Sequence, residues 1–366
     1  MSEYEVLARK WRPTTFEEIV GQNHVSKTLQ NAIEMNRIGH AYLFVGSRGI
    51  GKTSTARVFA KALNCEKGPS KNPCNQCAFC REIKEGNSMD VLEIDGASNR
   101  GIDEIRELRE NVKFAPAKGR FKIYIIDEVH MLTPQAFNAL LKTLEEPPGH
   151  VKFFFATTKP ESIPATILSR CQRFDLRRLS IKEISTHLQT IAESEGITIE
   201  QKALRSLARG ADGSLRDAES LFDQLISFCG EKIDYDNTVL LLGQANQEQV
   251  SLFVDGILES SAEKSISIVK DLEEKGKDLG VFIKDVTAYL RDLIVAKEIA
   301  KPMNLLNVDK DETENLRTKA NRLSVAVLLH LLDLFIETGN TIKRAGSDKI
   351  LLESAIFKSY RIVQGV

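Results

Sequence analysis

The 366-residue sequence predicts an α/β fold, with a parallel sheet flanked by helices in the first half of the chain and only helices after it. Three observations predict it. Short continuous apolar runs at 41–45 (AYLFV), 123–126 (IYII) and 151–156 (VKFFFA) have the character of central parallel strands covered on both faces, with helical patterns between them. Each run ends in glycine or polar residues, so the strands deliver chemistry to one edge of the sheet. From about Leu179 onward, apolar residues recur only at helical spacing.

Composition sets the outer limits. Apolar residues make up 42% and charged residues 28%, as in an ordinary globular protein, and the length suits two or three domains. A net charge of −1 excludes a uniformly basic nucleic-acid binder but leaves room for local patches. The first 229 residues are slightly basic and the rest slightly acidic, too little to decide a partner. No run of eighteen or more apolar residues occurs, and MSEYEVLARKW lacks a signal-peptide core, so a cytoplasmic protein without a membrane partner is expected.

Taken in order, residues 4–20 mix basic and apolar positions around Arg12 and Pro13, and TFEE, Thr15 to Glu18, offers a helix cap followed by acids. This arm, with the sole Trp at position 11, reads either as a segment packed on the core or as part of a base-binding wall. Residues 23–38 form an amphipathic helix pattern through Val25, Leu29 and Ile33. The stretch 41–63 then gives a strand, the loop GSRGIGKTS (Gly46, Ser47, Arg48, Gly49, Ile50, Gly51, Lys52, Thr53, Ser54) and a helix. Gly46, Gly49 and Gly51 let the backbone turn its N–H groups around an anion, Lys52 supplies a point charge for the outer phosphates of ATP, and Thr53 a hydroxyl for Mg²⁺. The helix aims its positive end at the same anion.

Four of the six cysteines cluster next, Cys65, Cys74, Cys77 and Cys80, with a loop separating the first from the others. Two overlapping C-x₂-C steps bring thiolates close enough to close tetrahedrally on one ion. An all-thiolate set favours Zn²⁺ in a closed structural site. The alternative is four free thiols in a surface insertion. Cys171 and Cys229 stand alone and read as small buried or half-buried residues.

A strand at 91–94 leads to a loop with Asn99, Arg100 and Gly101 and a helix carrying Arg106 and Arg109, which is either a solvated face or a contact for nucleic-acid phosphate. The run FKIYIIDEVHML delivers Asp127, placed to hold Mg²⁺, and Glu128, placed to polarise the attacking water. A helix over FNALLKTLEEPP stops at Pro147 and Pro148, and the strand VKFFFATT ends in Thr157 and Thr158, where a hydroxyl reaches the γ-phosphate or simply closes a turn. Arg170 follows a short helix, either as a surface ion-pair partner or as a finger reaching a neighbour's nucleotide. Three amphipathic helices come after Leu179, and Arg216 sits at the start of the third. A cation there opposes the helix dipole, which marks it as a candidate phosphate contact. Residues 243–366 read as further helices, and Leu328 to Phe335 is apolar almost all round, so that helix is central to a bundle or covered by another chain.

The stretches ARKWRPTTFEEIVGQ, GSRGIGKT, the four cysteines, EIDGASNRGIDEIR, IIDEVHMLTPQAFNALLKTLEEPP, ATTKP, ILSRC and GSLRDA together resemble the AAA+ clamp-loader ATPases, specifically the bacterial DNA polymerase III gamma/tau family. The resemblance implies an AAA+ ATPase domain at 1–178 with a zinc module at about 64–82, a helical lid at 179–242 and a helical collar at 243–366 that holds a five-subunit ring with delta- and delta-prime-type subunits. It assigns Lys52 and Thr53 to phosphates and Mg²⁺, Asp127 and Glu128 to metal and water, Thr158 to γ-phosphate sensing and Arg216 to the lid sensor. Arg170 would act in trans on ATP held by the next subunit. Arg12 and Val20 would line the adenine pocket, and Asn99, Arg100 and Arg106 would meet duplex phosphates inside the ring.

The activity so implied is ATP-driven opening of a sliding clamp and its loading on primer–template DNA. An AAA+ branch-migration helicase or remodeller shares the phosphate loop and acidic strand but is disfavoured by the cysteine insertion and SRC. A non-hydrolysing scaffold subunit is disfavoured by the intact Lys52, Asp127 and Glu128. The family's longer form adds a tail that binds polymerase and helicase; the sequence stops after the collar, so the shorter form or a truncation is expected.

Overall fold

A computed structural model of the chain describes residues 4–99, 101–243, 247–300, 302–306, 310–342 and 348–365. The chain separates into two compact units, Met1–Thr198 with Leu207–Glu231, and Ile199–Ser206 with Lys232–Val366.

The first unit carries α1 (Leu7–Lys10), α2 (Asn23–Glu34), β1 (Ala41–Val45), α3 (Lys52–Asn64), α4 (Ala78–Glu85), β2 (Val91–Asp95), α5 (Ile102–Val112), β3 (Lys122–Asp127), α6 (Pro134–Glu145), β4 (Val151–Thr157), α7 (Ala165–Leu168), β5 (Gln172–Asp175) and α8 (Ile181–Glu195). After β6 (Thr198–Ile199) and α9 (Gln201–Gly210), α10 (Leu215–Cys229) completes it. All five main strands are parallel, in the order β2-β3-β4-β1-β5. The register pairs Val45 with Thr157 and Asp95 with Asp127, so the carboxyl ends of β1, β2, β3 and β4 share one edge.

Every residue of β1 and β4 is buried, as their continuous apolar runs require. On one face Tyr42, Phe44, Phe59 and Phe154 pack together, with the Phe59 and Phe154 rings stacked at 4.9 Å; on the other lie Leu43, Tyr124, Phe153 and Phe155. Burying each such ring contributes roughly 1.5–3 kcal/mol. This double-sided core holds the carboxyl edge rigid.

Local expectations failed where side chains competed with the backbone. Residues 15–18 form turns and no helix, because the Thr14 N–H and hydroxyl both donate to the Glu18 carboxylate, at 2.6 and 3.0 Å. The helix α2 stops at Glu34, short of residue 38, because Asn36 turns left-handed at φ 51°. The sequence does not announce the edge strand β5, because three of the four residues of QRFD are exposed and it carries no apolar run. Two short strands, β6 and β7 (Lys232–Ile233), interrupt a region expected to hold helices only.

The second unit contains α11 (Tyr235–Leu241), α12 (Gln247–Leu258), α13 (Ala262–Glu274), α14 (Leu279–Glu298), α15 (Met303–Leu306), α16 (Lys310–Ala320), α17 (Val325–Ile342) and α18 (Asp348–Gln364). The helix α17 is long and apolar enough to cross a membrane by length and composition. It packs here against α14 and α18, with Leu328, Leu331 and Phe335 in the core and Leu329 and Ile336 exposed. The rings of Phe253, Phe282 and Phe335 meet edge to face at the centre.

Candidate active site

Leaving β1, the chain turns through Gly46, Gly49 and Gly51, all at positive φ, before α3 begins. Gly49 is further restricted: a Cβ there would lie 2.0 Å from Ser214 Oγ. Its carbonyl accepts the backbone N–H groups of Leu215 at 3.0 Å and Arg216 at 3.2 Å, so the start of α10 is docked on the loop. Those N–H groups are two that a helix leaves without internal partners, and Ser214 caps the same end by accepting from Asp217 N at 3.2 Å. The Arg216 side chain is thereby delivered to the cleft.

Lys52 is 5% exposed and donates to the Ser47 carbonyl at 2.9 Å. Burial pushes its pKa down, opposed by the carboxylates of Glu128 and Asp127. The Thr53 hydroxyl donates to Asp127 Oδ2 at 2.5 Å, while Asp127 Oδ1 accepts the Glu128 N–H at 2.8 Å. Thr53 and Asp127 thus lie together, as a shared Mg²⁺ would require, with oxygen donors of the kind that ion takes.

Glu128 adopts φ 46°, ψ 45°, a left-handed conformation that a residue with a long side chain holds only when its surroundings enforce it. Its Oε2 accepts from Thr158 Oγ1 at 3.1 Å and lies 3.2 Å from His130 Nδ1. An ionised carboxylate only accepts, so the imidazole hydrogen belongs on Nδ1. The same nitrogen lies 3.1 Å from Thr157 Oγ1. The sequence marks His130 only by its place two residues after Glu128.

Lys52, Thr53, Asp127, Glu128 and Arg216 line a cleft of about 520 Å³, and Thr158 and His130 stand behind Glu128 outside that lining. Arg12 and Val20 line it too, as does every residue from Arg48 to Ser54. Burial, then the nearby Arg57, pushes the Arg12 pKa down. Gly46 and Ser47 precede the lining residues and shape the turn: a Cβ at Gly46 would meet the Leu176 carbonyl oxygen at 2.6 Å. The arm packs on the core, one of the two readings of residues 4–20, and also contributes Trp11, Arg12 and Val20 to the cleft lining. Phe16 and Ile19 are buried, Trp11 Nε1 donates to Glu195 at 3.0 Å, and the Leu7 N–H donates to Asp223 at 2.8 Å. Opposite the arm, His187 meets the buried carboxyl of Glu219 at 3.0 Å, and burial raises the Glu219 pKa. No sequence pattern marked either residue.

Arg170 is not among the cleft residues of its own chain. It follows α7, donates from Nη1 to the Thr166 carbonyl at 2.6 Å and pairs through Nη2 with Glu145 at 2.7 Å. Asn99 donates its side chain to the Asp95 carbonyl at 3.0 Å, and Arg106 is exposed on α5. Arg100 lies outside the described residues.

The four cysteines come together: Cys65 ends α3, Cys77 precedes α4, Cys80 lies in its first turn, and their Sγ atoms all fall within 4.8 Å of one another. Tetrahedral zinc with Zn–S bonds of about 2.3 Å needs sulfurs about 3.8 Å apart, so the donor set fits it. The N–H groups of Gln76 and Cys77 pull the Cys74 thiol down to about 6, whereas burial pushes Cys80 and Cys65 up. Cys171 and Cys229 are half-buried, as expected.

Comparison with known proteins agrees with this architecture. A family model described as DNA polymerase III, delta subunit matches residues 21–180; one for the DNA polymerase III clamp loader subunit ATPase lid domain matches 183–231, and one for DNA polymerase III subunits gamma and tau domain III matches 233–363. DNA polymerase III subunit tau of Bacillus subtilis is 43% identical over 97% of this chain, which spans 63% of that protein's length. DNA polymerase III subunit gamma of Buchnera aphidicola subsp. Acyrthosiphon pisum is 36% identical over 97% of this chain and 98% of its own length. Among solved structures, the Thermotoga maritima RuvB Holliday junction branch migration motor is 18% identical with a TM-score of 0.49, covering 68% of this chain and 79% of that one, a likeness too slight to carry an argument.

Proposed function

The chain belongs to the bacterial DNA polymerase III gamma/tau family, and we propose that it is an ATPase motor subunit of the replicative clamp loader, acting in the cytoplasm. The observation that carries this reading is the meeting of Lys52, Thr53, Asp127, Glu128 and Thr158 at one sheet edge while Arg170 lies away from the cleft. Half a catalytic centre sits in each chain. The other half comes from a neighbour.

In this reading the loop N–H groups and Lys52 hold the phosphates, Arg216 reports their presence to α10, and Arg12 and Val20 flank the adenine. Mg²⁺, held by Thr53 and Asp127, would neutralise phosphate charge. Glu128, fixed through Oε2, offers its other oxygen to the attacking water. Arg170 of one subunit completes the next subunit's site within a five-membered ring that includes delta- and delta-prime-type subunits. The chain then divides functionally into an ATPase domain at 1–178, a lid at 179–242 and a collar at 243–366. ATP binding closes the interfaces, opens the sliding clamp and grips primer–template DNA, with Asn99, Arg100 and Arg106 towards the duplex; hydrolysis releases the grip. Zn²⁺ held by Cys65, Cys74, Cys77 and Cys80 has a structural role.

The test is an assembled complex carrying Lys52→Ala. Loss of DNA-stimulated ATP hydrolysis and of clamp loading is expected, and retained loading would sink the reading.

A further inference from the structure

Between the cysteine cluster and the cleft lies one buried ammonium. Lys61, on the same helix α3 that begins with Lys52 and Thr53, is 3% exposed. Its Nζ donates to the Thr14 carbonyl at 3.0 Å and to the side-chain oxygen of Asn75. Asn75 in turn donates from Nδ2 to Thr14 Oγ1 at 3.2 Å. Thr14 adjoins Pro13 and Arg12 and is locked to Glu18 by two hydrogen bonds, and Arg12, Pro13 and Glu18 all line the cleft. Asn75 stands between Cys74 and Cys77 at φ 57°, a left-handed position that Asn tolerates better than most residues.

We propose that Asn75 and Lys61 are positioning residues that couple metal occupancy of the four-cysteine cluster to the base-side wall of the nucleotide cleft. The inference rests on the nucleotide reading of that cleft. A metal bound by Cys74 and Cys77 pins the turn that aims the Asn75 amide. With that turn pinned, the buried Lys61 ammonium keeps both partners, and Thr14 is held where Arg12, Pro13 and Glu18 face the loop. When the turn relaxes, Lys61 loses an acceptor in a buried setting, where an unpartnered charge is costly, and the wall loosens. Coupling of this kind is reciprocal: bound nucleotide tightens metal binding by the factor by which metal tightens nucleotide binding.

The experiment uses the full chain and a fluorescent ATP analogue with Mg²⁺, with zinc content read by atomic emission. In zinc-loaded Asn75→Ala, the nucleotide Kd is expected to rise about five- to tenfold with zinc content unchanged. Asn75→Asp, which keeps the oxygen that accepts from Lys61, recovers part of the affinity. Saturating nucleotide lowers the zinc Kd of the unmodified chain, measured against a competing chelator, and fails to do so in Asn75→Ala. Nucleotide affinity unchanged in zinc-loaded Asn75→Ala, or a zinc Kd indifferent to nucleotide in the unmodified chain, overturns the coupling. Failure of the unmodified zinc-loaded chain to bind the analogue at all would instead overturn the nucleotide reading of the cleft, and this inference with it.

Discussion

The Thr158 hydroxyl, just past the end of β4, donates a hydrogen bond of 3.1 Å to Glu128 Oε2, just past the end of the adjacent β3. The threonine expected to sense the γ-phosphate is thus also a support for the carboxylate proposed to polarise water. With His130 Nδ1 on the same oxygen, Glu128 is fixed through one side of its carboxylate.

Glu128→Gln is therefore expected to lower kcat of the assembled complex by about a hundredfold or more while leaving nucleotide affinity within a few-fold. His130→Ala and Thr158→Ala each remove one hydrogen bond to a charged group and are expected to lower kcat by about tenfold or more. Steady-state kinetics paired with equilibrium nucleotide binding separates the two quantities; equal losses in both would mean that these residues shape the cleft and do not position the base.

Arg216 presents a different case, because its backbone and its side chain do separate jobs. The N–H docks α10 on the Gly49 carbonyl, which answers the unfavourable placement of a cation at a helix start. Arg216→Ala keeps that docking and is expected to weaken nucleotide binding by about tenfold without lowering Tm measurably. Gly49→Ala is expected to weaken nucleotide binding and to lower Tm as well, since its methyl group would overlap Ser214. Thermal unfolding with and without nucleotide distinguishes them.

Acid sensitivity has a defined contributor in Glu183. Hydrogen bonds from Arg177, with help from the Ser180 cap, hold its carboxyl down to about 2 from an ordinary 4.5. A depressed carboxylate stabilises the fold at pH above its unfolded value, and that contribution is lost as pH falls through the folded one. Glu183→Gln is expected to lower Tm by roughly 2–4 °C at pH 7. The difference should shrink between pH 4.5 and about 2, measured as Tm against pH.

What the sequence made legible follows from how locally each feature is encoded. The phosphate loop, the acidic strand end and the cysteine cluster are contiguous or nearly so, and the spacing of Lys52 and Thr53, of Asp127 and Glu128, and of the four cysteines carries their chemistry. The buried strands announced themselves because both faces need apolar cover. His187, Glu219 and the Lys61–Asn75–Thr14 network were invisible because their meaning lies in long-range pairings such as His187 with Glu219. The edge strand β5 and the turns at residues 15–18 depart from the local pattern because exposure and side-chain hydrogen bonding outweigh propensity there.

The central claim is that each chain holds half a catalytic centre and that Arg170 completes a neighbour's. Clamp-loader complexes assembled from a mixture of Lys52→Ala and Arg170→Ala chains, together with their partner subunits, test it most directly. Each variant alone is expected to give a complex without DNA-stimulated ATP hydrolysis at its own sites. In the mixture, an Arg170→Ala chain with an intact loop meets the intact Arg170 of a Lys52→Ala neighbour, and a substantial fraction of the activity is expected to return. A mixture no more active than either variant alone would contradict the claim and place Arg170 in the site of its own chain.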